Sequence, residues 1–118
     1  MTKFARLFAI AVVVLPASAF AAAKLSPADI QSTFGTRVAF TASNVGGKTY
    51  MMVLRADGTA TRTAKGSKTA EIGTWRTSGA GYCSKWGKGS EHCYSIAKNG
   101  ARYDVLNSAN KIIAHWTI

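Results

Sequence analysis

The sequence predicts a mainly β domain, a small antiparallel up-and-down β-barrel or sandwich of seven or eight strands with one short N-terminal helix. Two observations predict this class. Runs of apolar and β-branched residues recur roughly every ten positions, and clusters of glycine, asparagine, aspartate and serine separate them. Because local hairpins favour up-and-down connectivity and closure removes exposed edges, we expect the barrel rather than the sandwich.

The first 23 residues have the layout of a secretory signal peptide. Lys3 and Arg6 supply positive charge, an uncharged stretch follows, and small residues crowd its end after Pro16. The apolar part is shorter than the ~20 residues that a membrane-spanning helix needs. We therefore predict that residues 1–23 are removed on export. Residues 24–118 then form one domain, periplasmic or extracellular, that does not span the membrane.

The chain is strongly basic, with 15 lysines and arginines, five acidic residues and a formal net charge of +10. Removal of Lys3 and Arg6 leaves 13 basic residues against five acids, a net charge of +8. Such a charge keeps a protein soluble and favours anionic partners such as lipopolysaccharide or another protein's acidic face. We do not expect nucleic acid as the partner, because the basic clusters are not interleaved with an aromatic platform on a strand face.

The first predicted element is a helix of about two turns. Ser26 is a good cap, Pro27 suits the first helical position, and Asp29 faces the positive end of the helix dipole. Ile30 and Phe34 are four residues apart and share one face, before a glycine at position 35 ends the helix. We expect this helix to plug or cap the sheet.

The remaining chain divides into strands between turn signals. Asp57-Gly58 is a strong hairpin signal, because both residue types tolerate positive φ, and Asn99-Gly100 is the second. In the last strand Ile112, Ala114, Trp116 and Ile118 are expected on one face. The predicted strands are residues 37–41, 50–55, 59–63, 70–77, 82–86, 92–98, 101–107 and 111–118.

Cys83 and Cys93 are the most informative pair of residues. A hairpin folded about Lys88 places them opposite each other, and an even cysteine count in an exported chain predicts a disulfide. The competing interpretation is a metal site that adds His92. Adjacent residues on a strand point to opposite faces, which argues against a shared ion. We therefore expect neither a metal nor a cofactor.

The chemistry-bearing residues do not form a catalytic motif. Of the five carboxylates, those of Glu71, Glu91 and Asp104 have no assigned local role and no paired spacing. No Gly-x-Ser-x-Gly sequence is present, although His92 or His115 could join a triad that assembles in space. We expect a protein that is not an enzyme.

The candidate binding residues lie beside glycine-rich turns. Trp86 is flanked by lysines at a hairpin tip, where it can stack on a base, a sugar ring or a lipid headgroup. The alternative is that its ring folds back over the disulfide. Most other aromatic residues are expected in the core. The candidate binding residues are Trp86, Lys85, Lys88, Lys65 and Lys68, and Arg62 belongs to the same basic clusters.

Four short strings carry a family resemblance over about Asp57 to Tyr103. They are Asp57-Gly58-Thr59, Gly73-Thr74-Trp75-Arg76, Tyr82-Cys83-x-x-Trp86 and Cys93-Tyr94. The chain resembles a family of small exported bacterial proteins classed as a domain of unknown function. The resemblance implies an exported β domain with paired cysteines and carries over no catalytic residues. In size, single disulfide and Gly-x-Trp strand, the chain is also similar to lipocalins and small periplasmic protease-inhibitor barrels.

These features predict a non-catalytic binding module of the bacterial envelope that accepts a small apolar ligand in its barrel. Two alternatives stay open. One is electrostatic attachment to an anionic envelope component through Lys65, Lys68, Lys85 and Lys88. The other is a protein partner, a periplasmic or secreted enzyme that a loop inhibits.

Overall fold

The computed structural model describes residues 23–79 and 81–118. They form one helix followed by a closed antiparallel barrel of eight strands. Each strand pairs with the next, and the last pairs with the first, so the predicted barrel is confirmed. The elements are α1 Pro27–Phe34, β1 Phe40–Asn44, β2 Thr49–Leu54, β3 Thr59–Ala64, β4 Glu71–Ser78, β5 Gly81–Trp86, β6 His92–Asn99, β7 Arg102–Leu106 and β8 Ile112–Thr117.

The predicted signal peptide lies outside the described residues, except for Ala23. Within the described part of the chain, no helix has the length and apolar character needed to cross a bilayer.

The two ends of the barrel differ. Because the strands alternate in direction, the turns after β1, β3, β5 and β7 share one end, which we call the open end. The turns after β2, β4 and β6 share the opposite end, which we call the helix end. The start of β1 and the end of β8 also lie there.

Helix α1 seals the helix end, as the sequence predicted. Its start is fixed by a capping box, in which the Asp29 N–H donates to Ser26 Oγ at 3.1 Å and the Ser26 N–H donates to Asp29 Oδ2 at 3.3 Å. Ile30 and Phe34 are 0% and 1% exposed. The Phe34 ring packs edge-on against the rings of Phe40, Tyr103 and Trp116, with centroids 4.9–5.0 Å apart.

Strand alternation places successive side chains inside and outside the barrel. The interior includes Met52, Leu54, Ala60, Trp75 and Tyr82, all buried. The Trp75 indole N–H donates to the Arg55 carbonyl oxygen at 2.7 Å, so this buried polar group is satisfied.

The first strand begins later than predicted. Residues 37–41 were expected, but β1 starts at Phe40 and runs to Asn44. Arg37 has a left-handed backbone, φ 68°, which no regular strand accommodates. Its N–H donates instead to the Leu54 carbonyl oxygen at 3.3 Å, which ties the segment between helix and strand to the end of β2.

The predicted alternation of the last strand fails at both ends. The register shifts where Val105 faces Ala114 but Leu106 faces Ile112, so Ile113 is the extra residue and is partly buried. Ile112 and Ile118, expected on one face with Ala114 and Trp116, are 36% and 65% exposed, whereas Ala114 and Trp116 are buried.

The turn at Asp57-Gly58 forms, but not through two left-handed residues. Gly58 has φ 90°, whereas Asp57 stays outside the left-handed region. The Asp57 carboxylate accepts hydrogen bonds from the Thr59 hydroxyl at 2.7 Å and the Thr59 N–H at 2.9 Å. These two bonds hold the pKa of Asp57 below its usual value.

Candidate functional site

A cavity of 340 Å³ lies inside the barrel at the open end. Its floor is formed by Met52, Tyr82 and Trp116, and helix α1 closes the barrel on the far side of them. The volume is at the lower end of the roughly 300–1,000 Å³ that is typical of small-molecule sites. The residues nearer the mouth are mostly aromatic or polar: Tyr50, Arg62, Ser84, Trp86, His92 and Tyr94.

Arg62 lies at the mouth of this cavity. The threonines at positions 59, 61 and 63 of β3 face outward, so Ala60 and Arg62 face inward. The guanidinium carbon of Arg62 is 4.9 Å from the ring centroid of Tyr50 and 4.4 Å from that of Trp86. Both distances are within the ~6 Å of a cation–π contact, so the two rings hold the guanidinium group in place.

Glu71 fixes the orientation of the same guanidinium group. It faces Arg62 across β3 and β4, where Nε donates to Oε2 at 2.9 Å and Nη2 donates to Oε1 at 3.2 Å. The two side chains are 25% and 44% exposed, so the pair contributes little to stability. The ion pair instead orients Arg62, because two hydrogen bonds to one carboxylate fix the plane of the guanidinium group.

Trp86 lies at the end of β5 beside the turn, as predicted, and its ring does not fold over the disulfide. Along β5, Tyr82, Ser84 and Trp86 face the interior, whereas Cys83 and Lys85 face outward. The indole therefore lies in the cavity wall, on the opposite face of the strand from the disulfide. Gly73 makes room for it, because a Cβ at this position would be 2.6 Å from Trp86 Cε3.

Two phenol groups in the cavity lining, those of Tyr82 and Tyr94, are influenced by the Arg62 charge. The Tyr82 hydroxyl is buried and donates to Ser84 Oγ at 3.0 Å. Burial raises the pKa of Tyr82 to about 12, although the Ser84 hydrogen bond and the Arg62 charge act in the other direction. Burial also raises the pKa of Tyr94, and Arg62 again opposes the effect. Both phenols are therefore protonated, and able to donate hydrogen bonds, at neutral pH.

The lysines singled out from the sequence gather at the same end. Lys65, Lys68 and Lys88 lie in turns around the mouth, and Lys48 and Lys111 lie in the two other turns there. Lys85 is different, since it faces outward from the wall of the barrel. Its charge adds to the hydrogen bond from Arg76 that lowers the pKa of Glu91.

The predicted disulfide is confirmed. Cys83 and Cys93 are directly opposite on β5 and β6 and are bonded to each other. The Glu91 carboxylate comes within 4.8 Å of both sulfur atoms, but disulfide sulfurs are not thiolates and do not ligate a metal as thiolates do. A structural disulfide indicates an oxidising environment, which agrees with export.

A serine, a histidine and an aspartate meet on the outer face of the barrel. Asp104 Oδ1 is 2.8 Å from His115 Nδ1, and His115 faces Ser43 across β8 and β1. Ser43 Oγ, however, is paired with Thr49 Oγ1 at 3.3 Å, and no hydrogen bond joins it to His115 in the described residues.

The contacts around Asp104 are those of a structural ion cluster. Burial raises the pKa of Asp104, but hydrogen bonds from Asn99 and His115 and the charge of Arg102 outweigh it, so the pKa is lowered.

No protein-family model, curated protein or solved structure matches the chain. The resemblance to exported proteins of unknown function and to lipocalin-like barrels therefore stays a prediction.

Sequence reasoning missed the central side chain of the site. Arg62 was grouped with Lys65 and Lys68 as a solvated turn cluster, and Tyr50 and Tyr94 were expected in the core. The signal that finds Arg62 is the threonine alternation on β3, which places every even position of that strand inside the barrel.

Proposed function

We propose that this chain is an exported, non-catalytic binding module of the bacterial envelope that holds a small, mostly apolar ligand in the open end of its barrel. The observation that carries the proposal is the 340 Å³ cavity, sealed at one end by α1 and ringed at the other by aromatic side chains. Ligand sites are usually concave and combine apolar and aromatic walls with a few polar groups, and this cavity has both kinds of lining.

The proposal is tested by filling the cavity. Ala114 is buried and lines it, so Ala114→Leu occupies space that a ligand would use. We expect the unmodified protein to bind naphthylmethanol, a neutral two-ring probe, in isothermal titration calorimetry, and Ala114→Leu to lose that binding. Ala101→Leu is the matched control, because Ala101 is exposed in the turn at the helix end. Equal binding by Ala114→Leu and the unmodified protein would contradict the proposal.

A second candidate function is electrostatic attachment to an anionic envelope polymer. The observation that favours it is the presence of a lysine in each of the four turns at the open end, at positions 48, 65, 88 and 111, with Lys68 beside them. Exposed charges attract polymers in a salt-dependent way. We expect attachment to lipopolysaccharide to weaken steeply between low and physiological salt. Attachment unchanged after lysine-to-glutamine substitution at all five positions would remove this candidate.

A further inference from the structure

The guanidinium group of Arg62 has one edge with no protein partner among the described residues. A guanidinium carries five N–H groups, and Glu71 accepts from two of them, one on Nε and one on Nη2. Three N–H groups remain, two on Nη1 and one on Nη2. One N–H of Nη1 and the remaining N–H of Nη2 point the same way and form the second edge of the guanidinium group. Two parallel donors on one edge match the two oxygens of a carboxylate.

The surroundings of this edge favour an anion. The described residues that line the cavity include one permanent cation, Arg62, and no aspartate or glutamate. Glu71 pairs with the edge of the guanidinium group that includes Nε. The lysines in the open-end turns add a positive field over the mouth, which raises the local concentration of anions.

The rest of the cavity suits a flat, apolar body. Trp86 is partly exposed beside the guanidinium group, Tyr94 offers further ring surface in the cavity lining, and Trp116 does so on the floor. Val105 and Ile113 complete the apolar wall. A ring that stacks on these side chains carries its acidic group toward Arg62 at the mouth.

We infer that the ligand of this cavity is a small planar organic carboxylate whose carboxylate group binds the free edge of Arg62 and whose ring packs among the cavity aromatics. This inference rests on the proposed function, since it names the ligand class of the same cavity. It assigns to Glu71 a positioning role, because that carboxylate orients the guanidinium group and leaves the second edge available.

The test compares two probes of nearly the same shape. Naphthoate carries a carboxylate, and naphthylmethanol, the probe used above, carries a neutral hydroxyl in its place. We expect the unmodified protein to bind naphthoate at least about tenfold more tightly, the factor that one charge-assisted contact supplies. Arg62→Met keeps the length of the apolar stem and removes the donors, so it should bind the two probes equally.

The chain offers a matched control in Arg76. It makes the same two-point pair with Glu91, at 2.7 and 3.1 Å, but its side chain is 58% exposed on the outer wall. Arg76→Met removes an arginine and breaks an ion pair without touching the cavity, so the preference for naphthoate should survive. The unreduced Cys83–Cys93 bond and an unchanged circular dichroism spectrum show that both variants have folded.

The outcomes separate the inference from the proposed function. If both probes bind the unmodified protein equally, or if Arg62→Met retains the preference for naphthoate, the inference is wrong and the cavity proposal stands. A preference that survives in Arg62→Met and disappears at high salt would belong to the lysines. If neither probe binds, the inference and the proposed function are both contradicted.

Discussion

Tyr82 couples the stability of the barrel to alkaline pH. It lies on the cavity floor with its hydroxyl on Ser84, and burial raises its pKa from 10.0 to about 12. Because the folded pKa exceeds the unfolded one, the stabilisation is complete below pH 10 and is lost as the pH rises toward 12. The shift corresponds to about 3 kcal/mol.

We expect Tyr82→Phe to flatten this alkaline loss of stability. The measurement is the free energy of unfolding in urea at a series of pH values from neutral to strongly alkaline. Lysine titration affects both proteins alike, so the difference between them isolates Tyr82. Parallel curves for the two proteins would show that the phenol is not buried in the folded state.

Gly73 allows the Trp86 ring to lie against the backbone of β4. A Cβ there would be 2.4 Å from the Lys85 carbonyl oxygen and 2.6 Å from Trp86 Cε3, so Gly73→Ala must displace the ring or the strand. We expect a loss of about 1–3 kcal/mol in unfolding free energy and a red-shifted tryptophan fluorescence. Gly79→Ala is the control, because a Cβ at position 79 would have nothing within 4 Å. Unchanged stability and fluorescence in Gly73→Ala would refute this packing.

At the scale of the element, α1 is a plug that belongs to the barrel core. Phe34 is 1% exposed and contacts three rings from β1, β7 and β8. Phe34→Ala should therefore lower the free energy of unfolding by about 3–5 kcal/mol in chemical denaturation. Phe34→Leu, which keeps most of the volume, should lose much less. A loss below about 1 kcal/mol for Phe34→Ala would mean that the helix is not part of the cooperative core.

Turn and capping residues made the helix and most strands predictable from the sequence. Where the structure differs from the prediction, tertiary contacts are the cause. Asp57-Gly58 and Asn99-Gly100 marked real hairpins, because glycine there adopts φ 90° and 62°. Capping residues likewise located α1. The start of β1 depends on the hydrogen bond from Arg37 to Leu54, and the side-chain directions in β8 depend on a register shift against β7. Neither feature has a local sequence signal.

At the scale of the whole molecule, the barrel has two different ends. Helix α1 and aromatic packing close one of them, and the other carries the cavity, Arg62 and a ring of lysines. Sequence reasoning identified Trp86, Lys65, Lys68 and Lys88 as binding candidates, and the fold brings all four to the open end. It grouped Arg62 with Lys65 and Lys68 but could not connect that arginine to the rings of Tyr50 and Trp86, because those contacts depend on the inward direction of the side chains across β2, β3 and β5.

The most direct test of the binding account is native mass spectrometry of the protein recovered from exporting cells without reductant. We predict a discrete adduct of a few hundred daltons on the unmodified protein, with Cys83 and Cys93 still bonded, and its absence from Ala114→Leu prepared in the same way. An unmodified protein that is bare in this measurement, or an adduct that Ala114→Leu retains, would contradict the claim that the cavity holds a ligand.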